Sequence, residues 1–206
     1  MIARRSIYLL LALLLQLHPT SAAVQSARPG SDSANDSPAS NSIEQEIHAF
    51  KGAAFSIQEA TKIVEEHLAG AKVVDLSFDG QGAVPYFNVK ACHGDNIWDV
   101  VIDTSTRQII RANILMPISQ LDAEEKTRIA EFKRSRIDLS DAIAVAEQYG
   151  FGSAISAGLD RVDGRLIFRV VVVSGSELKD ISIDPNKEAG GPRRSAKAAS
   201  RHPGGI

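Results

Sequence analysis

The sequence predicts an α+β fold built from two units, each a helix packed on a small antiparallel sheet in the order α-β-β-β. Three observations predict it. A capped amphipathic helix opens at Ser56. After Gly70 the apolar period shortens from the helical spacing to two. The whole pattern from Phe55 to Arg111 then returns, weaker, from Ile137 to Asp184.

The first helix is the best specified element. Ser56 and Glu59 stand three apart, the spacing at which a serine oxygen and a glutamate carboxylate each accept from an orphan amide of the first turn. Ile57, Ala60, Ile63, Val64 and Leu68 recur at helical spacing as one apolar stripe, leaving Glu59, Lys62, Glu65 and Glu66 toward water. Gly70 offers the left-handed conformation that commonly follows a helix end.

Strands follow. Val73 to Phe78 is β-rich and alternating, and Asp79-Gly80-Gln81-Gly82 reads as a turn with two glycines free to take positive φ. Tyr86 to Cys92 and Ile97 to Asp103 flank the turn His93-Gly94-Asp95-Asn96, and Gln108 to Leu115 is a fourth strand. Val100 and Ile102 should share a face with Trp98, while Asp99, Val101 and Asp103 take the other.

An offset of 82 carries Ile57 onto Leu139, Ala60 onto Ala142, Ile63 onto Val145, Gly82 onto Gly164, Tyr86 onto Phe168 and Val89 onto Val171. Past the hairpin the offset is 81, carrying Val100, Ile102 and Asp103 onto Ile181, Ile183 and Asp184. Asp138 and Asp141 stand in for the serine and glutamate of the first cap.

On the elements Gln58-Glu59-Ala60, Tyr86-Phe87-Asn88-Val89 and Val100-Val101-Ile102-Asp103, both copies resemble PepSY domains. The family usually has glycine in the turn after the aspartate, where this chain has Arg107 in the first copy and Glu188 in the second. That turn is therefore expected to be built differently, and the last strand of the second copy is left open. The resemblance implies a tandem PepSY protein that acts by holding a protein partner, a peptidase or another envelope protein, rather than by catalysis.

Around this core lie simpler segments. Residues 1–23 read as an export signal: Arg4 and Arg5, then 11 mostly apolar residues from Ile7 to Leu17, then the small residues Thr20 to Ala23. Eleven is too few to span a bilayer, which needs about 20. The expected location is thus outside the cytoplasm, periplasmic or secreted. Residues 24–54 read as a disordered spacer with a short helix at Ile43 to Phe50, because the stretch up to Ser42 has little apolar content to bury. The first unit is assigned 55–116 and the second 137–185. Between them, 117–136 reads as a charged connecting helix lying on the surface, with a thin stripe of Leu121, Ile129 and Phe132. Residues 186–206 form a basic tail, expected to be disordered.

Chemistry is sparse. Removing Arg4 and Arg5 from 23 basic residues against 25 acidic ones leaves a net charge of −4, so no basic field favours nucleic acid. Cys92 is the single cysteine; beside His93 it suggests a thiol or metal enzyme, but neighbours in a strand point to opposite faces and do not make a dyad. The histidines show no metal-ligand spacing, and no cofactor motif is present. Asp103 and Asp184 read as turn-capping aspartates and Trp98 as core. The expectation is a non-enzymatic binding or regulatory module of the cell envelope; a structural envelope protein and a small thiol- or metal-dependent enzyme on Cys92 and His93 are the alternatives. A partner should meet the sheet rather than the charged helix faces, through Tyr86, Asn88, Lys90, Asp99 or Val101, according to which face the helix covers.

Overall fold

A computed structural model describes residues 38–186 and 193–194. The segment read as an export signal, residues 24–37 of the segment read as spacer, and the tail apart from Asn186 and Arg193–Arg194 lie outside the described residues, as does Glu188. Four helices, α1 (Pro38–Gly52), α2 (Ile57–His67), α3 (Ala123–Lys133) and α4 (Leu139–Gly150), accompany one antiparallel sheet. Its strands are β1 (Lys72–Asp79), β2 (Tyr86–His93), β3 (Asn96–Asp103), β4 (Ile109–Pro117), β5 (Ser153–Val162), β6 (Arg165–Ser174) and β7 (Glu177–Ile183). Their order across the sheet is β4-β3-β2-β1-β5-β6-β7, and a two-residue strand β8 (Arg193–Arg194) pairs with β7.

The capping reading holds in detail. Ser56 Oγ accepts from the Glu59 amide, and Glu59 reaches back to the Ser56 amide at 2.8 Å. Asp138 and Asp141 form the same reciprocal pair at α4. Each such cap contributes about 1 kcal/mol by satisfying amides that have no partner in the first turn. Ile57, Ala60 and Val64 are buried as the stripe predicts, but Ile63 is only half-buried and Thr61 takes its place. The Thr61 hydroxyl can be buried because it donates to the Ile57 carbonyl at 3.0 Å.

The sheet joins through its middle. Asp75, Leu76 and Ser77 of β1 pair with Gly158, Ala157 and Ser156 of β5, so all the strands belong to one sheet. α2 packs on β1 and β2, and α4 on β5, β6 and β7. The row Val100, Val89, Leu76, Ala157, Val170, Ile181 runs strand to strand beneath them, and every member is buried. Trp98 lies on this side, half-buried, with its ring edge-on to His93.

Two expectations are corrected. The leading helix expected at Ile43 to Phe50 against the first unit runs from Pro38 to Gly52, taking up residues read as spacer, and its Ile47 and Phe50 are buried. Phe50 meets Phe78 edge-on at 5.3 Å, and Phe78 continues through Phe87 to Phe55, so aromatic burial that the local composition does not reveal fixes this helix. Glu46 is buried with it, and burial, aided by the Asp79 charge, pushes its carboxyl up to about 7. Second, neither Gly80 nor Gly82 has positive φ. Gly80 is small for another reason: a β-carbon there would lie 2.8 Å from Ala49 of α1 and 2.7 Å from the Phe78 ring. The charged connector is a 3₁₀ turn (Ile118–Gln120) followed by α3, which lies on the surface with Ile129 and Phe132 of its thin stripe buried. Phe132 is wholly buried against Phe168 at 5.8 Å.

The turn after Asp103 is closed by its own side chain. The Asp103 carboxylate accepts from the Ser105 and Thr106 amides, and Arg107 takes φ 58°, the left-handed region that favours glycine. Its guanidinium donates to the Ala54 carbonyl at 2.7 Å, pairs with Glu59 and lies over the Phe55 ring, which holds the strained backbone in place. Asp184 caps its own turn through the Asn186 amide.

Candidate binding face

Register decides what period-2 alternation leaves open. Phe87, Val89 and Ala91 of β2 lie toward α2, so Tyr86, Asn88 and Lys90 lie on the opposite side. On β3, Val101 stands directly across from Asn88 and Asp99 directly across from Lys90. The five residues singled out from sequence therefore share one face. Around them the row Asn113, Asp99, Lys90, Asp75, Gly158, Arg169, Ser182 crosses from β4 to β7. Beside it runs Arg111, Val101, Asn88, Ser77, Ser156, Val171, Asp180.

These positions are not equivalent. Tyr86 donates its hydroxyl to Asp79 at 2.9 Å, a bond that together with burial raises the phenol above its usual range. Asp99 is held by Arg111 at 2.7 Å. Asn88 and Lys90 are half-buried, with their polar ends carried on the face. Val101 is 5% exposed and closed over by its neighbours, so it shapes the surface more than it offers contact. On the β5–β7 side Arg169 stands between Asp160 at 2.9 Å and Asp180 at 3.7 Å. Burial raises the Asp180 carboxyl, and Arg169 opposes that shift.

Asp75 is the electrostatic centre. Burial lifts its carboxyl to about 6, against the opposing pull of Lys90 and Arg128. Arg111, Asp75, Arg169 and Asp180 escaped the sequence reading. Alternation within Val73 to Phe78 puts Asp75 and Ser77 on one side, but only the β1–β5 pairing extends that side across to β5, β6 and β7.

The alternative site is not assembled. Cys92 is 4% exposed, and burial pushes its thiol up to about 11, so it is a thiol and not a thiolate nucleophile at neutral pH. His93 lies on the other side, against Trp98. Among the described residues no three His, Cys, Asp or Glu side chains converge as metal ligands, and no helix is long and apolar enough to cross a membrane. Elsewhere an open cleft of about 420 Å³ lies between Phe55 and Phe151, with Glu59 and Glu147 on its walls. There Gln58 donates to Glu147, which also accepts from the Ala154 amide.

Comparison with known proteins identifies no family: no family model matches the chain, and no curated protein matches it. Among solved structures, a protein described as a "putative lipoprotein" from Clostridium difficile 630 is similar at 17% identity and a TM-score of 0.40, over 68% of this chain and 91% of that one.

Proposed function

We propose that this chain is an exported, non-enzymatic binding module of the cell envelope, PepSY-like in both halves, that holds a protein partner on the sheet face around Asn88 and Lys90. The partner class implied is an envelope or secreted protein, a peptidase among them. One observation carries the reading: the face turned away from α2 bears two adjacent rows from β4 to β7 that are polar or charged except at Val101, Gly158 and Val171. A sheet face that merely needs solvation does not require paired, oriented charges such as Arg111–Asp99 and Asp160–Arg169–Asp180. Oriented charges of both signs fix register and reject wrong partners more than they add affinity.

A duplicated origin fits the same picture. Ile57 and Leu139, Ala60 and Ala142, and Val64 and Ala146 are all buried, while Ile63 and Val145 are both half-buried. Export rests on residues 1–23, and the absence of catalysis on the chemistry of Cys92 and the scattered histidines.

The test places a photo-crosslinking residue at Asn88, and separately at Lys62 on the outer face of α2, in cells exporting the protein. A discrete protein adduct from position 88 and none from position 62 is expected. Adducts from position 62 alone would overturn the assignment of the face.

A further inference from the structure

The β4 edge of the sheet differs from the rest of the surface. Ile110 is 61% exposed, Ile114 52% and Leu115 45%, three large apolar side chains on one nine-residue strand. The opposite edge, β7, carries β8, whereas among the described residues β4 pairs with β3 alone. Natural edges are usually blunted by charge, proline or bulges, because unpaired amides and carbonyls recruit further strands. Here the register against β3 shifts at Ile110 and at Leu115, but Arg111 to Ile114 between them is a regular ladder. The only charge on it, Arg111, is turned to the Asp99 carboxylate of its own chain.

The sequence of this strand also reads alike from both ends: Ile109-Ile110-Arg111-Ala112-Asn113-Ile114-Leu115. We propose that β4 forms an antiparallel ladder with β4 of a second copy of this chain, about a two-fold axis at Ala112. That register sets Ile110 across from Ile114 of the second copy, Ile109 across from Leu115, and Arg111 across from Asn113. Apolar meets apolar and no like charges are opposed, which a two-fold contact requires of a surface that must complement itself. The neighbouring register, centred on Asn113, would instead set Arg111 across from Leu115 and Ile109 across from Pro117, which lacks the amide a ladder uses. Because the axis stands perpendicular to the sheet, the polar faces of the two copies become one continuous surface. The inference stands apart from the partner proposed above, since it uses the edge and leaves Asn88 and Lys90 free.

The experiment is sedimentation of the full exported chain over a concentration series, with Ile110→Lys/Ile114→Lys and Ala112→Cys in parallel. The expected results are a dimer for the wild type and, for the double lysine variant, a monomer with the wild-type circular-dichroism spectrum that melts no lower than the wild type diluted to its monomer. Ala112→Cys should form an interchain disulfide on mild oxidation, since facing residues of an antiparallel ladder lie within disulfide reach. The wild-type chain, whose only cysteine is the buried Cys92, serves as the blank. A wild type that stays monomeric at its highest soluble concentration overturns the proposal. So does a dimer that survives both lysines, or one that crosslinks through Asn113→Cys and not through Ala112→Cys.

Discussion

Gly158 stands directly opposite Asp75 across the β1–β5 seam, and a β-carbon on Gly158 would lie 2.8 Å from the Asp75 carboxylate. The glycine is there for space, since its φ is not in the left-handed region. The carboxylate occupies the room that a side chain would otherwise fill. Gly158→Ala should therefore push the Asp75 carboxylate aside and destabilise the protein by about 1 kcal/mol, the low end for overpacking because the near atom ends a side chain that can turn. In an Asp75→Ala background the same change should cost much less. Chemical denaturation of the four proteins of this cycle measures the coupling, and equal costs in both backgrounds would mean that the contact does not limit the seam.

Asp75 also predicts a pH dependence. Its folded carboxyl titrates at about 6, raised by burial above an unfolded value of about 3.9. The folded state thus holds the proton more tightly, and the stability this group contributes below pH 4 is lost as pH rises through 6. Asp75→Asn should remove that slope and gain about 2–3 kcal/mol on the wild type between pH 4 and pH 8. Glu46 adds its own slope up to about 7, so the difference between variant and wild type is the quantity to follow. A constant difference across this range would assign Asp75 an ordinary carboxyl.

Ala60 and Ala142 are each the fourth residue of their helix, α2 and α4, and both are fully buried. Leucine at either position has nowhere to go against the sheet. Ala60→Leu and Ala142→Leu should each lower the denaturation midpoint, with a cost of about 1–3 kcal/mol. A leucine accepted without loss at one site and not at the other would separate the two helix–sheet contacts.

Phe132 anchors α3. Its ring is wholly buried against Phe168, and the Lys72 ammonium lies 5.5 Å from the ring centre. Phe132→Ala should cost about 3–5 kcal/mol, the range for emptying an aromatic site in a core. Hydrogen exchange should then rise first in Ala123–Lys133. A loss below about 1 kcal/mol would return α3 to the role of a solvated connector.

The sequence by itself determined what short-range physics fixes. Ser56 with Glu59, and Asp138 with Asp141, name two helix starts because a capping box is closed within four residues. Alternation separates Asp99 and Val101 from Val100 and Ile102 because successive side chains of a strand take opposite sides. Asp103 caps its turn through amides two and three residues on. Only the tertiary structure decided the rest, because each remaining feature depends on residues far apart in the chain. The β1–β5 seam joins Asp75 to Gly158, and no local pattern states that those strands are neighbours. Gly80 is small on account of Ala49, α1 is ordered through Phe50 on Phe78, and Phe132 of α3 finds its partner in Phe168. The candidate face follows the same division. Spacing groups Tyr86, Asn88 and Lys90 on one strand and Asp99 and Val101 on the next, but the β2–β3 register puts both sets on one face, and their extension through Asp75 to Arg169 and Asp180 exists only once β1 lies beside β5.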